Sequence, residues 1–293
     1  MVPDLSRNSP LINPAALYGS WSRSDVILDA SWYLPAHDRD PDAEYLAGHI
    51  PHAQRFDFDW VVVDQMSELP HMLPSPAEFQ SHARRLGICA DSRVVVYDGA
   101  GIFAAPRAWW MFRAMGHDNV VVLDGGLPAW KAAGYPLQKG TPELVRLGSF
   151  TARPQRERVA SAETIRRAIA EGQHQIVDAR PPARFAGSAP EPRAGLRPGH
   201  MPGALNLPFD RLLENGRFRG IRAISEAFTD AGFDPERPAV ASCGSGVTAC
   251  ILAFAGERAF GRPFAVYDGS WAEWGAGDPA TMPVATAADL SES

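Results

Sequence analysis

The feature that most restricts this chain is an internal repeat. Short segments of the first half return in the same order about 150 positions later. Leu28-Asp29-Ala30 returns as Val177-Asp178-Ala179, and His49-Ile50-Pro51-His52-Ala53 as His200-Met201-Pro202-Gly203-Ala204. Asp98-Gly99-Ala100-Gly101-Ile102 matches Cys243-Gly244-Ser245-Gly246-Val247. Leu123-Asp124-Gly125-Gly126, leading to Trp130, matches Tyr267-Asp268-Gly269-Ser270, leading to Trp274. Preserved order points to duplication of one domain, and two copies are too few for a solenoid. The length of 293 residues agrees, since ~150 residues per domain makes two domains, each able to bury its own core. The expected layout is a first domain over 10–140, a linker over 141–157, a second domain over 158–280 and a tail over 281–293.

Within each copy, short apolar runs alternate with helical patterns. Val26-Ile27-Leu28, Val94-Val95-Val96-Tyr97 and Val120-Val121-Val122-Leu123 are continuous β-rich runs, as strands buried on both faces of a parallel sheet require. Ile176-Val177, Ala239-Val240-Ala241 and Ala265-Val266-Tyr267 answer them in the second copy. Pro76 to Leu86 and Ser161 to Glu171 read as helices, with Ser75 and Ser161 as N-caps and Gly87 and Gly172 as stops. The expected fold class is α/β: two tandem domains, each a mainly parallel sheet with helices on both faces. The connection falls in the polar stretch from Leu137 to Arg158, which carries Gly140, Pro142, Gly148 and Pro154.

Charge and composition exclude several partners. The formal charge of −6 offers no electrostatic footprint for nucleic acid or anionic lipid. Apolar runs such as Trp60-Val61-Val62-Val63 fall far short of the ~18 residues that span a bilayer. Only Lys131 and Lys139 are lysines and neither follows a Gly-rich phosphate loop, which argues against Schiff-base or P-loop chemistry. Met1 to Leu5 lacks the charged and apolar regions of a signal peptide. Three cysteines, Cys89, Cys243 and Cys250, are too few for a disulfide scaffold, so a reducing compartment, the cytoplasm, is expected. No metal cluster is visible and no cofactor is called for. His49 and His200, at equivalent repeat positions shortly before Pro51 and Pro202, read as structural turn residues rather than metal ligands.

The copies differ most informatively at one position. The strand ending at Ser242 runs into Cys243-Gly244-Ser245-Gly246-Val247-Thr248, and a helix follows from Ala249. This places the thiol at the carboxyl end of a parallel strand, where α/β proteins bind ligands. Two glycines let successive N–H groups converge, and the helix N-terminus adds partial positive charge. Such a cradle suits a thiolate or persulfide and is expected to lower the thiol pKa from ~8.5 by on the order of a unit. The first copy has Asp98 there, a poor sulfur nucleophile, so one copy carries the site and the other serves as scaffold. Cys89 and Cys250 read as structural thiols. A phosphatase cradle would need an arginine six positions after the cysteine, where this chain has Ala249.

These motifs resemble the tandem-domain rhodanese superfamily, in particular its 3-mercaptopyruvate sulfurtransferase type. The resemblance runs from about Leu28 to Trp274. It rests on Cys243 to Ala249, on Ala105-Pro106-Arg107 through Arg113, on Leu123-Asp124-Gly125-Gly126, on His71-Met72-Leu73-Pro74 and on Tyr267-Asp268-Gly269-Ser270-Trp271. Thiosulfate sulfurtransferases of the same superfamily carry two basic residues after the cysteine; this chain has Gly244 and Ser245. The neutral loop suits a donor with one carboxylate better than the thiosulfate dianion.

The resemblance implies a two-step transfer. Cys243 takes sulfur from 3-mercaptopyruvate as a persulfide, and a thiol such as thioredoxin or glutathione, or cyanide, removes it. It further implies that Ser245 supplies a proton with a first-domain histidine, His71, and a carboxylate, Asp59, in an interdomain cleft; Asp57 is the alternative carboxylate. Arg184 and Arg193 are the donor-carboxylate ligands that the resemblance implies, with Arg180 close enough to be confused with Arg184, and Gly244, Gly246, Val247 and Thr248 line the loop. Two other readings stay open: a thiosulfate:cyanide sulfurtransferase, and a persulfide carrier without small-molecule turnover.

Overall fold

A computed structural model describes residues 9–22, 24–141 and 145–286. The leader reading of Met1 to Leu5, Pro142 of the expected linker and residues 287–293 of the expected tail lie outside them. By its internal contacts the chain divides into two units. The first comprises residues up to 65, 73–155 and 215–218; the second comprises 66–72, 156–214 and the chain from 219.

In the first unit the order is β1 (Leu11–Ile12), α1 (Pro14–Ser20), β2 (Asp25–Asp29), α2 (Pro41–Ala47), β3 (Gln54–Arg55), α3 (Pro76–Arg85), β4 (Arg93–Tyr97), α4 (Ala105–Ala114), β5 (Val120–Leu123) and α5 (Gly126–Ala132). Its five strands pair in the order β1-β5-β4-β2-β3, all parallel. The later elements are β6 (Val159–Ala160), α6 (Ala162–Glu171), β7 (Gln175–Asp178), α7 (Pro182–Phe185), β8 (Leu205–Asn206), β9 (Leu213–Glu214), β10 (Arg217–Phe218), α8 (Ile221–Asp230), β11 (Ala239–Ser242), α9 (Ala249–Phe260), β12 (Ala265–Tyr267) and α10 (Ser270–Trp274). The second sheet repeats the first as β6-β12-β11-β7-β8, again all parallel.

The strands form where the apolar runs stand, because every residue of β7 and β11 is buried and a parallel sheet buries both faces. Both expected N-caps are present, and each forms a capping box. Ser75 accepts from the Glu78 amide as Glu78 accepts from the Ser75 amide, and Ser161 and Thr164 do the same. Gly172 ends α6 in the left-handed region (φ 66°), where a side chain would be strained. Leu17, Ile27, Tyr45, Val95, Tyr97 and Trp130 belong to the core of the first unit; Ile165, Ile176, Val240, Trp271 and Trp274 belong to that of the second.

Two features depart from the expected layout. The segment after residue 145 is not a free connection. Gly148 N donates to Arg84 O (2.8 Å), Phe150 N to Ile88 O (3.0 Å) and Arg153 N to Met115 O (2.8 Å), which lays it along α3 and the end of α4. The second departure concerns residues 66–72. They lie within the first repeat in sequence, but their contacts are with the second unit. His71, expected as a first-domain residue, is therefore part of the second unit, because the chain between β3 and α3 makes an excursion that local pattern does not encode.

Candidate active site

The backbone sets the register of the two copies. Ala30 N donates to Tyr97 O (2.8 Å) as Ala179 N donates to Ser242 O (2.9 Å). Leu127 N donates to Asp98 O (3.0 Å) as Trp271 N donates to Cys243 O (2.9 Å). Asp98 and Cys243 thus occupy one structural position, at the carboxyl end of the central strand. In the second sheet this is where the chain passes from β7 outward to β8 and then returns to β11 on the other side. Crevices at such a switch point are where open parallel sheets hold ligands.

Asp98 displays what the loop is built to do. Its Oδ1 accepts from Ala100 N (2.9 Å), and its Oδ2 from Phe103 N (2.9 Å), Ala104 N (2.8 Å) and Ala105 N (2.8 Å). Four amides at the entrance of α4 converge on one buried carboxyl group. Burial still pushes the Asp98 carboxyl above the ordinary carboxylate range, against the pull of those amides.

In the second unit a thiol replaces the carboxylate. Cys243 is 2% exposed. The helix begins one residue sooner than in the first copy, at Ala249. Gly246 turns the loop at φ 79°, and Cys250 Sγ donates to its carbonyl at 3.1 Å, which gives Cys250 a structural task. Ser270 fixes the other side: its hydroxyl accepts from Cys243 N (3.2 Å) and donates to Tyr267 O (2.7 Å). It does so at φ 48°, where the first copy uses Gly126 at φ 54°. A serine in the left-handed region costs on the order of 1 kcal/mol, and here its hydroxyl ties down the amide of Cys243.

Ser245 is buried, two residues beyond the cysteine in the same loop. His71 is buried in the same unit and adopts φ 63°. Arg184 reaches this loop. A Cβ built on Gly244 would lie 3.2 Å from Arg184 Nη2, so the missing side chain is what admits the guanidinium. Arg193 is exposed and has no ion-pair partner among the described residues. Val247 is buried and Thr248 half-buried at the start of α9.

The two candidate carboxylates belong to the first unit. Asp57 Oδ1 accepts from Asp59 N (2.9 Å) and Trp60 N (3.1 Å), which makes it the cap of a turn. Asp59 Oδ2 accepts from the Trp32 indole at 3.1 Å. His49 and His200 are equivalent in structure as in sequence. The Nδ1 of each lies 2.8 Å from a carbonyl, of Tyr45 and of Phe185, and each ring stacks on that same residue.

The sequence assigns no role to Glu191 and leaves Arg180 open to confusion with Arg184; the structure tells them apart. Arg180, buried beside Arg184, joins Asp178 and Glu191 in a continuous ion-pair chain that ends at Arg184. The signal is faint: four charged residues between positions 178 and 191 among three prolines, with no periodicity to place them on one face.

Comparison with known proteins agrees with this architecture. The family model described as "Rhodanese-like domain" matches residues 22–133 and 161–276. The chain is 43% identical over 252 residues to the human 3-mercaptopyruvate sulfurtransferase, covering 85% of this chain and 84% of that one. It is 38% identical over 292 residues to the Arabidopsis thaliana thiosulfate/3-mercaptopyruvate sulfurtransferase 1, mitochondrial, covering 92% and 77%. The crystal structure of SseA from Escherichia coli, described as having the "Rhodanese" fold of 3-mercaptopyruvate sulfotransferases, superposes with a TM-score of 0.82 at 36% identity. That match covers 90% of this chain and all of SseA. The chain belongs to the rhodanese family. It is a sulfurtransferase built of two rhodanese-like domains. Among the described residues no helix is long and apolar enough to cross a membrane.

Proposed function

We propose that the chain moves sulfane sulfur from 3-mercaptopyruvate to a thiol or to cyanide through a persulfide on Cys243, releasing pyruvate. The observation that carries this reading is the thiol's position: it stands where the other copy gathers four backbone amides on a carboxyl group. In the first step the Cys243 thiolate attacks the donor sulfur. An S–S bond forms, the C–S bond breaks, and its electron pair passes to the enolate of pyruvate. The enolate carbon takes a proton from Ser245, which recovers it through His71, with Asp59 as the supporting carboxylate. Arg184 and Arg193 hold the donor carboxylate, and the amides of Gly244, Gly246, Val247 and Thr248 line the loop around the sulfur. In the second step an acceptor thiolate or cyanide attacks the outer sulfur and returns Cys243 as thiolate. This is nucleophilic catalysis with ping-pong kinetics.

The neutral loop supports mercaptopyruvate as donor. Gly244 and Ser245 add no charge beside the sulfur, which a dianion such as thiosulfate needs more than a monocarboxylate does. The test is mass spectrometry after addition of mercaptopyruvate. The expected result is one extra sulfur on the Cys243 peptide with pyruvate released, and neither in Cys243→Ser. Normal turnover by that variant would remove Cys243 as nucleophile. A higher kcat/KM for thiosulfate would replace the donor. A stable persulfide with no pyruvate from any donor would make the chain a carrier.

A further inference from the structure

Beside the Cys243 loop, four charged side chains of the second unit form an unbroken row. Arg180 is buried and almost fully bonded. Its Nε donates to both oxygens of Asp178 (3.1 and 2.9 Å), Nη2 to Asp178 Oδ2 (2.6 Å) and Gly199 O (2.9 Å), and Nη1 to Glu191 Oε1 (2.9 Å). Its guanidinium also lies 4.1 Å from the centre of the Trp271 ring. Glu191, with a side chain 1% exposed, then accepts from Arg184 through Nε (3.2 Å to each oxygen) and Nη2. Arg184 itself is 22% exposed and lies against Gly244.

Two physical consequences follow. A carboxylate this buried persists only if its charge is matched, and Glu191 is matched twice. The row Asp178, Arg180, Glu191, Arg184 carries two negative and two positive charges and sums to zero. A guanidinium also has two hydrogen-bonding edges. Glu191 takes the Nε/Nη2 edge of Arg184, while Nη1 donates to no acceptor among the described residues.

We propose that Glu191 is a positioning and donor-selecting residue: it clamps Arg184 by one edge, leaves the Nη1 edge for the donor's carboxylate, and cancels the surplus positive charge that a dianionic donor requires. The proposal rests on the reading of Arg184 as the residue that binds the donor carboxylate beside a nucleophilic Cys243. Through Glu191 the site offers directional hydrogen bonds in place of net charge. A monocarboxylate gains fully from that exchange, and a dianion gains less.

Steady-state kinetics of the full chain, with cyanide as acceptor and mercaptopyruvate or thiosulfate as donor, separate the charge of Glu191 from its shape. Glu191→Gln removes the charge and nearly keeps the shape. It should raise the ratio of kcat/KM for thiosulfate to that for mercaptopyruvate by about tenfold or more, chiefly through a higher KM for mercaptopyruvate. Glu191→Asp keeps the charge and shortens the reach; both constants should fall while their ratio stays within about twofold of the native enzyme. Equal losses for both donors in Glu191→Gln, or an equal shift of the ratio in Glu191→Asp, would reduce Glu191 to a structural residue. Should Glu191→Gln not fold, competition on the native enzyme decides. Pyruvate should inhibit at a concentration at least about tenfold below that of sulfate, and parity between them would overturn the proposal. A native enzyme that takes no sulfur from mercaptopyruvate would sink this inference and the functional reading together, whereas an unmoved ratio on an active enzyme sinks this inference alone.

Discussion

Asp98 and Cys243 meet the same surroundings with different chemistry, and the comparison explains both. A carboxylate has two oxygens, each able to accept more than once, so Asp98 satisfies four amides by itself and closes its own loop. Asp98→Ala strips their acceptor from amides at the start of α4. The expected loss is about 3 kcal/mol, read by thermal unfolding. The pH dependence has a definite sign. Burial raises the folded-state pKa of Asp98 above its ordinary value, so the folded state holds this proton more tightly than the unfolded chain does. The stabilisation that Asp98 contributes is therefore complete below the ordinary carboxylate range and declines as pH rises through the raised value. The gap between native chain and Asp98→Ala should be widest in acid; a gap that widens toward neutrality would contradict the direction of the shift. At the equivalent of Gly126, Ser270→Gly relieves left-handed strain but removes the hydroxyl from the Cys243 amide. It should leave the melting temperature unchanged or slightly higher, while persulfide formation slows about tenfold in rapid-mixing kinetics.

At the scale of elements, what could be read from sequence is what local physics determines. Val94 to Tyr97 and Val120 to Leu123 became β4 and β5 because an uninterrupted β-branched run has no solvent-facing side to offer. Ser161 capped α6 because its hydroxyl reaches the Thr164 amide in any chain with that spacing. Ser161→Ala should cost about 1 kcal/mol, visible as a shift in the denaturant midpoint with an unchanged slope. Much of the site was legible for the same reason: a thiol, two glycines and a helix start are consecutive in sequence. The rest was not local. No periodicity announces that residues 66–72 join the second unit, or that α7, four residues long, carries an arginine that a glutamate seven positions later will clamp. Glu191 looked like any charged residue between two prolines; only tertiary structure buries it between Arg180 and Arg184. The Asp57 and Asp59 alternative is open in sequence because the stretch from Val61 to Leu69 matches the family only loosely, and the structure gives Asp57 a turn-capping task.

Across the whole molecule, duplication left two loops of one design, and the first is closed in more than one way. Beside the glycine that follows the repeat position, each unit sets an arginine paired with a glutamate: Arg39 with Glu44 near Gly99, and Arg184 with Glu191 near Gly244. Arg39 holds the Glu44 carboxyl below the usual range and also donates to the Gly99 carbonyl at 3.3 Å. Tyr33 then covers the glycine itself. A Cβ there would lie 2.1 Å from its hydroxyl oxygen, which donates to Glu44 at 2.7 Å, and burial keeps the phenol protonated far above its ordinary range. Restoring a nucleophile to this copy should therefore not restore an active site. In a Cys243→Ser background, Asp98→Cys should yield a folded chain that releases no pyruvate from mercaptopyruvate and gains no sulfur by intact-mass measurement. A sulfur adduct in that double variant would mean that Tyr33 and the Arg39–Glu44 pair do not close the first loop to persulfide chemistry.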